Sequence, residues 1–223
     1  MTSGEAHGSV EVGVASVSTA TIAARGPVAT LVLAHGAGAG MDSPFLVGFC
    51  GAMAEAKVTT VRFNFPYLER GRKAPDREPV LRETWLAVFE QVARGSRRPV
   101  FAGGKSLGGR MASMCVADGM PAAGLVFLGY PLHPPGKPER LRAEHLGRIE
   151  VPMLFIEGTR DPFADLGILR GVLEPIGDRV TLETVEGGDH SFKVPGPKVD
   201  AAQIGAALAG IAAPFVRRVA GER

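Results

Sequence analysis

Phe101-Ala102-Gly103-Gly104-Lys105-Ser106-Leu107-Gly108-Gly109-Arg110 is the stretch around which the chain is organised. The apolar run Pro99-Val100-Phe101-Ala102 enters it as a β-strand, and the run from Ser106 to Ala117 leaves it with helical spacing. Between them, Gly104-Lys105-Ser106-Leu107-Gly108 reads G-x-S-x-G. A serine on so tight a strand-to-helix turn takes a strained backbone, and side chains two positions to either side would collide with strand and helix. Glycine at 104 and 108 removes those collisions, and Gly103 and Gly109 add room. The helix that follows points its N-terminal N–H groups and the positive end of its dipole at the serine. In a chain with 30 glycines the pentapeptide can arise by chance; its strand-turn-helix context is what raises it.

Gly104-Lys105-Ser106 is also the tail of a phosphate-binding G-x-x-x-x-G-K-[ST] loop. That loop needs glycine at 99, where Pro99 stands, and the residues between are strand-like. The nucleotide-binding reading is set aside on that mismatch.

Length and composition narrow the classes. A chain of 223 residues, 45% hydrophobic and 22% charged, fits one α/β domain with a sizeable core. A net charge of +2 gives no strong attraction to nucleic acid or acidic membranes. The apolar runs are short and broken by Gly, Pro or charge, so no membrane span is expected. Met1 to Val10 lacks a basic segment followed by an apolar core, so no secretory signal is read. Cys50 and Cys115 sit in helix patterns without metal-type spacing; two buried thiols fit a cytoplasmic protein. Neither metal nor cofactor is expected.

Outward from the central stretch, the chain alternates β and α. Residues 1–9 read as a flexible leader before a single domain over 10–223. Val10 to Val17 alternates as an edge strand, with Thr19 to Ala24 as its hairpin partner. Ala29 to Ala34 is continuously apolar, as in a parallel strand buried on both faces, and runs into His35-Gly36-Ala37-Gly38-Ala39-Gly40. Ser43-Pro44 opens a helix with Phe45, Phe49 and Met53 on one stripe. Val58 to Phe65 is the next strand, and Pro66 to Pro79 a charged loop. A helix with Leu81, Trp85, Val88 and Val92 follows, Trp85 falling on its core side. Strands are read at 124–129, 152–157 and 180–185, and helices at 166–176 and around Ile204 to Phe215. The expected fold is a doubly wound, mainly parallel β-sheet flanked by helices.

In open α/β sheets chemistry gathers beyond the C-terminal ends of the strands. His35-Gly36-Ala37, Gly104 to Gly108, Asp161 and Asp189-His190 all fall there. A serine hydroxyl needs a histidine to take its proton and a carboxylate to hold that imidazole's tautomer; two N–H donors must meet the developing oxyanion. The order Ser106, Asp161, His190, each just after an expected strand, resembles the α/β-hydrolase superfamily over nearly the whole chain. It is most similar to small lidless members of the dienelactone-hydrolase type, with serine where dienelactone hydrolases carry cysteine. His35 to Gly40, Phe63-Asn64-Phe65-Pro66-Tyr67 and Tyr130-Pro131-Leu132-His133 resemble its KANL-type branch, whose members are largely without assigned substrates. The resemblance implies Ser106 as nucleophile, His190 as base, Asp161 as its orienter, and the Leu107 N–H as one oxyanion donor. Ala37 is the expected second donor and Gly38 the fallback.

Each residue has a structural alternative. Asp161 could serve only as a cap before Pro162, with Asp165 the next acid available. His35 reads as a hydrogen-bonder that shapes its loop, and Asp189 as a turn residue. His133 is a candidate substrate contact, against a structural role in a Pro-rich loop. Lys105 reads as solvent-facing, with anion binding as its functional alternative. Only residues 130–151 separate the strand after the central one from the next, too little for a lid domain. The resulting expectation is a serine hydrolase for an ester or thioester of a small acyl substrate, with an open, shallow site. The other class is a non-catalytic interaction scaffold on the same fold. Oligomeric state is not legible.

Overall fold

The computed structural model of the protein describes residues 4–13 and 15–222. Its eight strands are β1 (Ala6–Val12), β2 (Ala15–Ile22), β3 (Ala29–Ala34), β4 (Val58–Phe63), β5 (Val100–Lys105), β6 (Leu125–Leu128), β7 (Met153–Gly158) and β8 (Val180–Val185). They form one sheet in the order β1-β2-β4-β3-β5-β6-β7-β8. β1 and β2 pair antiparallel, as do β2 and β4; every other pair is parallel. The helices are α1 (Pro44–Glu55), α2 (Pro66–Glu69), α3 (Glu78–Gly95), α4 (Leu107–Ala117), α5 (Leu166–Leu173) and α6 (Ala201–Val219).

The apolar runs of β3, β5, β6 and β7 are buried almost throughout because helices cover both faces. One core packs α3, α4 and α5 on the sheet through Trp85, Met111 and Leu169. The other packs α1 and α6 on the opposite face through Phe49, Met53 and Leu208. α1 and α6 approach so closely that a methyl on Gly48 would lie 2.0 Å from the Ala202 carbonyl oxygen, and one on Gly205 2.0 Å from that of Phe45. Cys50 and Cys115 are free and buried, one in each core.

The sequence expectations need several corrections. The run Val10 to Val17 is not one strand: Gly13, at φ 57°, turns the chain, and Val12 pairs with Ala15. Pairing begins at Ala6, within the segment expected as a leader. Its anchor is Glu5, whose carboxylate meets the buried Arg62 guanidinium at 2.7 Å. The rest of that segment, Met1 to Ser3, lies outside the described residues. The charged loop from Pro66 contains the short helix α2. Ser43 holds the N-cap position of α1 without a capping side-chain bond. Between β6 and β7 the chain forms loop and one 3-10 turn, Leu146–Arg148, with no lid domain. Among the described residues no helix is long and apolar enough to cross a membrane.

Candidate active site

The turn from β5 into α4 is built as the glycine spacing requires. Ser106 adopts φ 49°, ψ −115° between strand and helix. A methyl on Gly104 or on Gly108 would come within 2.3 Å of the Ala34 carbonyl oxygen at the end of β3, so the turn closes on its neighbour only with glycine at both places. The Trp85 indole N–H donates to the Gly108 carbonyl at 3.0 Å, tying α3 to the start of α4. Its core position agrees with the stripe read from sequence. Leu107 is the first residue of α4, where an N–H has no intrahelical acceptor.

Three loops bring three side chains together. Ser106 Oγ lies 2.8 Å from His190 Nε2, and His190 Nδ1 lies 2.6 Å from Asp161 Oδ2. The other Asp161 oxygen accepts the Phe163 N–H at 2.8 Å. The Asp161 side chain is fully buried while the imidazole keeps an edge to solvent, with the Phe163 ring 4.3 Å away between centroids. An ionised carboxylate only accepts, so Nδ1 carries the proton and Nε2 is free to accept from the serine. Asp189 shapes the approach: its Oδ1 accepts the N–H groups of Ser191 and Lys193, folding the turn that presents His190.

The two aspartates have different partners. Asp161 meets His190, whereas Asp165 is the N-cap of α5 and accepts the Ile168 N–H at 2.9 Å. Pro162 does not open that helix. It lies in the turn that holds Asp161, and α5 begins at Leu166.

His35 is buried and structural, as read. The Phe65 N–H donates to its Nε2 at 3.1 Å, leaving Nδ1 to donate to the Gly36 carbonyl at 2.8 Å. Burial pulls its pKa down to about 4. It thereby locks the 35–40 loop to the 63–67 segment. In that loop the Ala37 and Gly38 residues are exposed, while the Tyr67 hydroxyl behind it is buried without a hydrogen-bond partner.

Two expectations fail. His133 is not placed as a substrate contact. Its ring is buried, Nδ1 lies 3.0 Å from the Pro134 carbonyl, and Nε2 accepts the Asp165 N–H at 3.0 Å. Both nitrogens are spent holding the loop after β6 to the cap of α5. Lys105 does not face solvent: its Nζ is buried without a hydrogen-bond acceptor, 5.4 Å from the centre of the Phe192 ring. Burial lowers its pKa to about 8, against the pull of Asp161, Glu157 and Asp189.

Glu157 is the residue that sequence reasoning passed over. It ends the apolar run of β7, is fully buried, and accepts the Tyr130 N–H at 2.5 Å through Oε1, while Oε2 has no partner. Burial holds its carboxyl well above the usual range. An acid closing an otherwise apolar strand was the signal.

With this geometry in hand, the comparisons are direct. The match to the family described as alpha/beta hydrolase domain spans residues 27–212. The chain belongs to that family. Among solved structures it is similar to an alpha-beta serine hydrolase homologue from Coxiella burnetii, at 18% identity over 97% of this chain and 98% of that one, TM-score 0.76. It also resembles a serine hydrolase without lid from Xanthomonas campestris, at 20% identity over 96% and 94%, TM-score 0.76. A dienelactone hydrolase from Anabaena variabilis aligns at 19% identity over 96% and 97%, TM-score 0.73. These likenesses agree with the alpha/beta hydrolase fold, without a lid, that the sequence led us to expect.

Proposed function

We propose that this alpha/beta hydrolase is a serine hydrolase that cleaves an ester or thioester of a small-molecule substrate through an acyl-enzyme on Ser106. The observation that carries the reading is the unbroken chain from Ser106 Oγ through His190 to Asp161, at 2.8 and 2.6 Å. Ser106 Oγ attacks the substrate carbonyl carbon as His190 Nε2 takes its proton. The imidazolium so formed is stabilised by the Asp161 carboxylate at Nδ1. The carbonyl oxygen, now negative, accepts from the Leu107 N–H at the start of α4 and from the Ala37 N–H. Ala37 is preferred to Gly38 because it directly follows the His35-Gly36 pair at the end of β3. Collapse of the tetrahedral intermediate breaks the bond to the leaving group, which takes the proton from Nε2. Water then repeats the sequence and frees the acid.

The test is labelling with a fluorophosphonate. Ser106 should be modified, and Ser106→Ala should lose the label with an unchanged melting temperature and lose turnover by about 10⁶, the scale known for a protease serine. Labelling at another serine would move the nucleophile. No labelling and no ester hydrolysis would favour the interaction scaffold.

A further inference from the structure

The chain leaves His190 by way of Phe192-Lys193-Val194-Pro195-Gly196-Pro197-Lys198-Val199 before Asp200 caps α6. Two hollows lie along this strap. The inner one, of about 240 Å³, is walled by Phe45 and Leu46 of α1, Ile204 of α6, and Lys105. The outer one, of about 650 Å³, lies among the strap residues themselves. Lys193 and Ile204 line both, so the two hollows are neighbours. The inner end lies beside the triad: Gly36, Lys105 and Ser191 line it, and they are the chain neighbours of Ala37, Ser106 and His190. A methyl on Gly36 would lie 3.5 Å from Ser106 Cβ.

Besides Lys193 and Lys198 the strap exposes apolar side chains. Val194 and Val199 are 51% and 54% exposed, alongside Pro195 and Pro197. Phe192 holds φ 60°, a costly conformation for an aromatic residue, and so stacks its ring on Phe45 at 6.0 Å. Exposed apolar surface beside a reacting centre fits a binding surface for what that centre acts on.

We infer that the cleft between α1, α6 and the strap seats the substrate's acyl group, and that this group is an aliphatic chain of medium length rather than the short acyl group expected for a lidless site. The inference rests on the serine-hydrolase reading and gives it a substrate class. The strap covers the chain as a lid would, from the other side of the sheet. Each methylene that leaves water for the cleft strengthens binding of the transition state, so kcat/KM should rise about fourfold per methylene until the cleft is full.

The test is a series of p-nitrophenyl esters from acetate through butyrate, hexanoate and octanoate. The expected result is a steady rise to at least hexanoate. Ile204→Trp, which fills the wall common to both hollows, should cut the octanoate-to-acetate ratio of kcat/KM about tenfold. Val194→Asp, on an exposed position that tolerates charge, should lower the same ratio and carries the test if Ile204→Trp does not fold. A flat or falling series in an enzyme that hydrolyses acetate overturns the cleft but leaves the serine hydrolase standing. So does a ratio unchanged in a folded Ile204→Trp. Failure of every ester together with absence of Ser106 labelling overturns both readings.

Discussion

Asp161 and Asp165 stand at the two ends of one turn and do different work. Asp161 is fully enclosed, with one oxygen on the His190 imidazole and the other on the Phe163 amide. Asp165 lies at the surface, where it accepts a single helix N–H. Residue type is the same for both; depth and partner separate them. A carboxylate whose two oxygens are both claimed in a buried setting has one orientation, and it passes that orientation to the imidazole. A cap is interchangeable with any short polar acceptor.

The sharpest way to break this comparison is Asp161→Asn. Asparagine keeps the shape and can donate to Nδ1, which drives the proton to Nε2 and removes the acceptor that Ser106 needs. In a serine protease that change costs about 10⁴ in turnover. Steady-state kinetics with a short ester should show a loss of that order in kcat, with the melting temperature close to wild type. Near-normal turnover would show that Asp161 is only a turn former.

The next effect concerns the charges beside this site. The Lys105 ammonium is buried beside Gly129, where a methyl would lie 2.9 Å from Nζ and 3.5 Å from His190 Nδ1. The groups facing it are Asp161, Glu157, Asp189 and His190. Its pKa in the fold, about 8, lies below the unfolded value of 10.5. From 8 to 10.5 the unfolded chain therefore holds more protons, and wild-type stability rises with pH across that window; below 8 the cost of the buried charge is constant. Lys105→Met should be more stable than wild type at pH 7, by about 3 kcal/mol at most, with the gap closing as pH rises above 8. Urea melts across pH read the effect. A variant less stable than wild type at pH 7, with a gap that does not close above pH 8, would assign Lys105 a packing role alone.

These residues also mark where the sequence was legible and where it was not. The glycines at 104 and 108 dictated the turn because the contact they permit, on the Ala34 carbonyl, is a backbone approach that only one residue type allows. The parallel strands were legible because a strand buried on both faces must be apolar throughout. Lys105 and Glu157 escaped for the same reason: in such strands alternation vanishes, and nothing in the pattern says how deep a long polar side chain reaches. The start of β1 was missed because the partner of its anchor Glu5, Arg62, lies far along the chain on β4. His133 was misassigned because its second partner, the Asp165 amide, arrives from another loop. Local sequence carries local geometry; contacts between loops are made only by the fold.

The smallest effect is the other half of the comparison. Asp165 accepts from the Ile168 N–H, and its own N–H donates to His133 Nε2. The backbone donation does not depend on the side chain, so a substitution at 165 removes only the cap. Asparagine caps about as well as aspartate, and Asp165→Asn should change stability by no more than a few tenths of a kcal/mol. Asp165→Ala leaves an orphan N–H at the first turn of α5 and should cost about 1 kcal/mol. Because α5 follows the turn that holds Asp161, fraying of its first turn reaches the site only through that turn, which is pinned by the Phe163 amide on Asp161 and by the Asp161 N–H on the Gly158 carbonyl. Turnover in both variants should therefore stay within about twofold of wild type, a change of about 0.4 kcal/mol in barrier. Chemical denaturation paired with ester kinetics separates the outcomes. A loss of turnover beyond tenfold in Asp165→Asn would mean that the two aspartates share the task of holding His190.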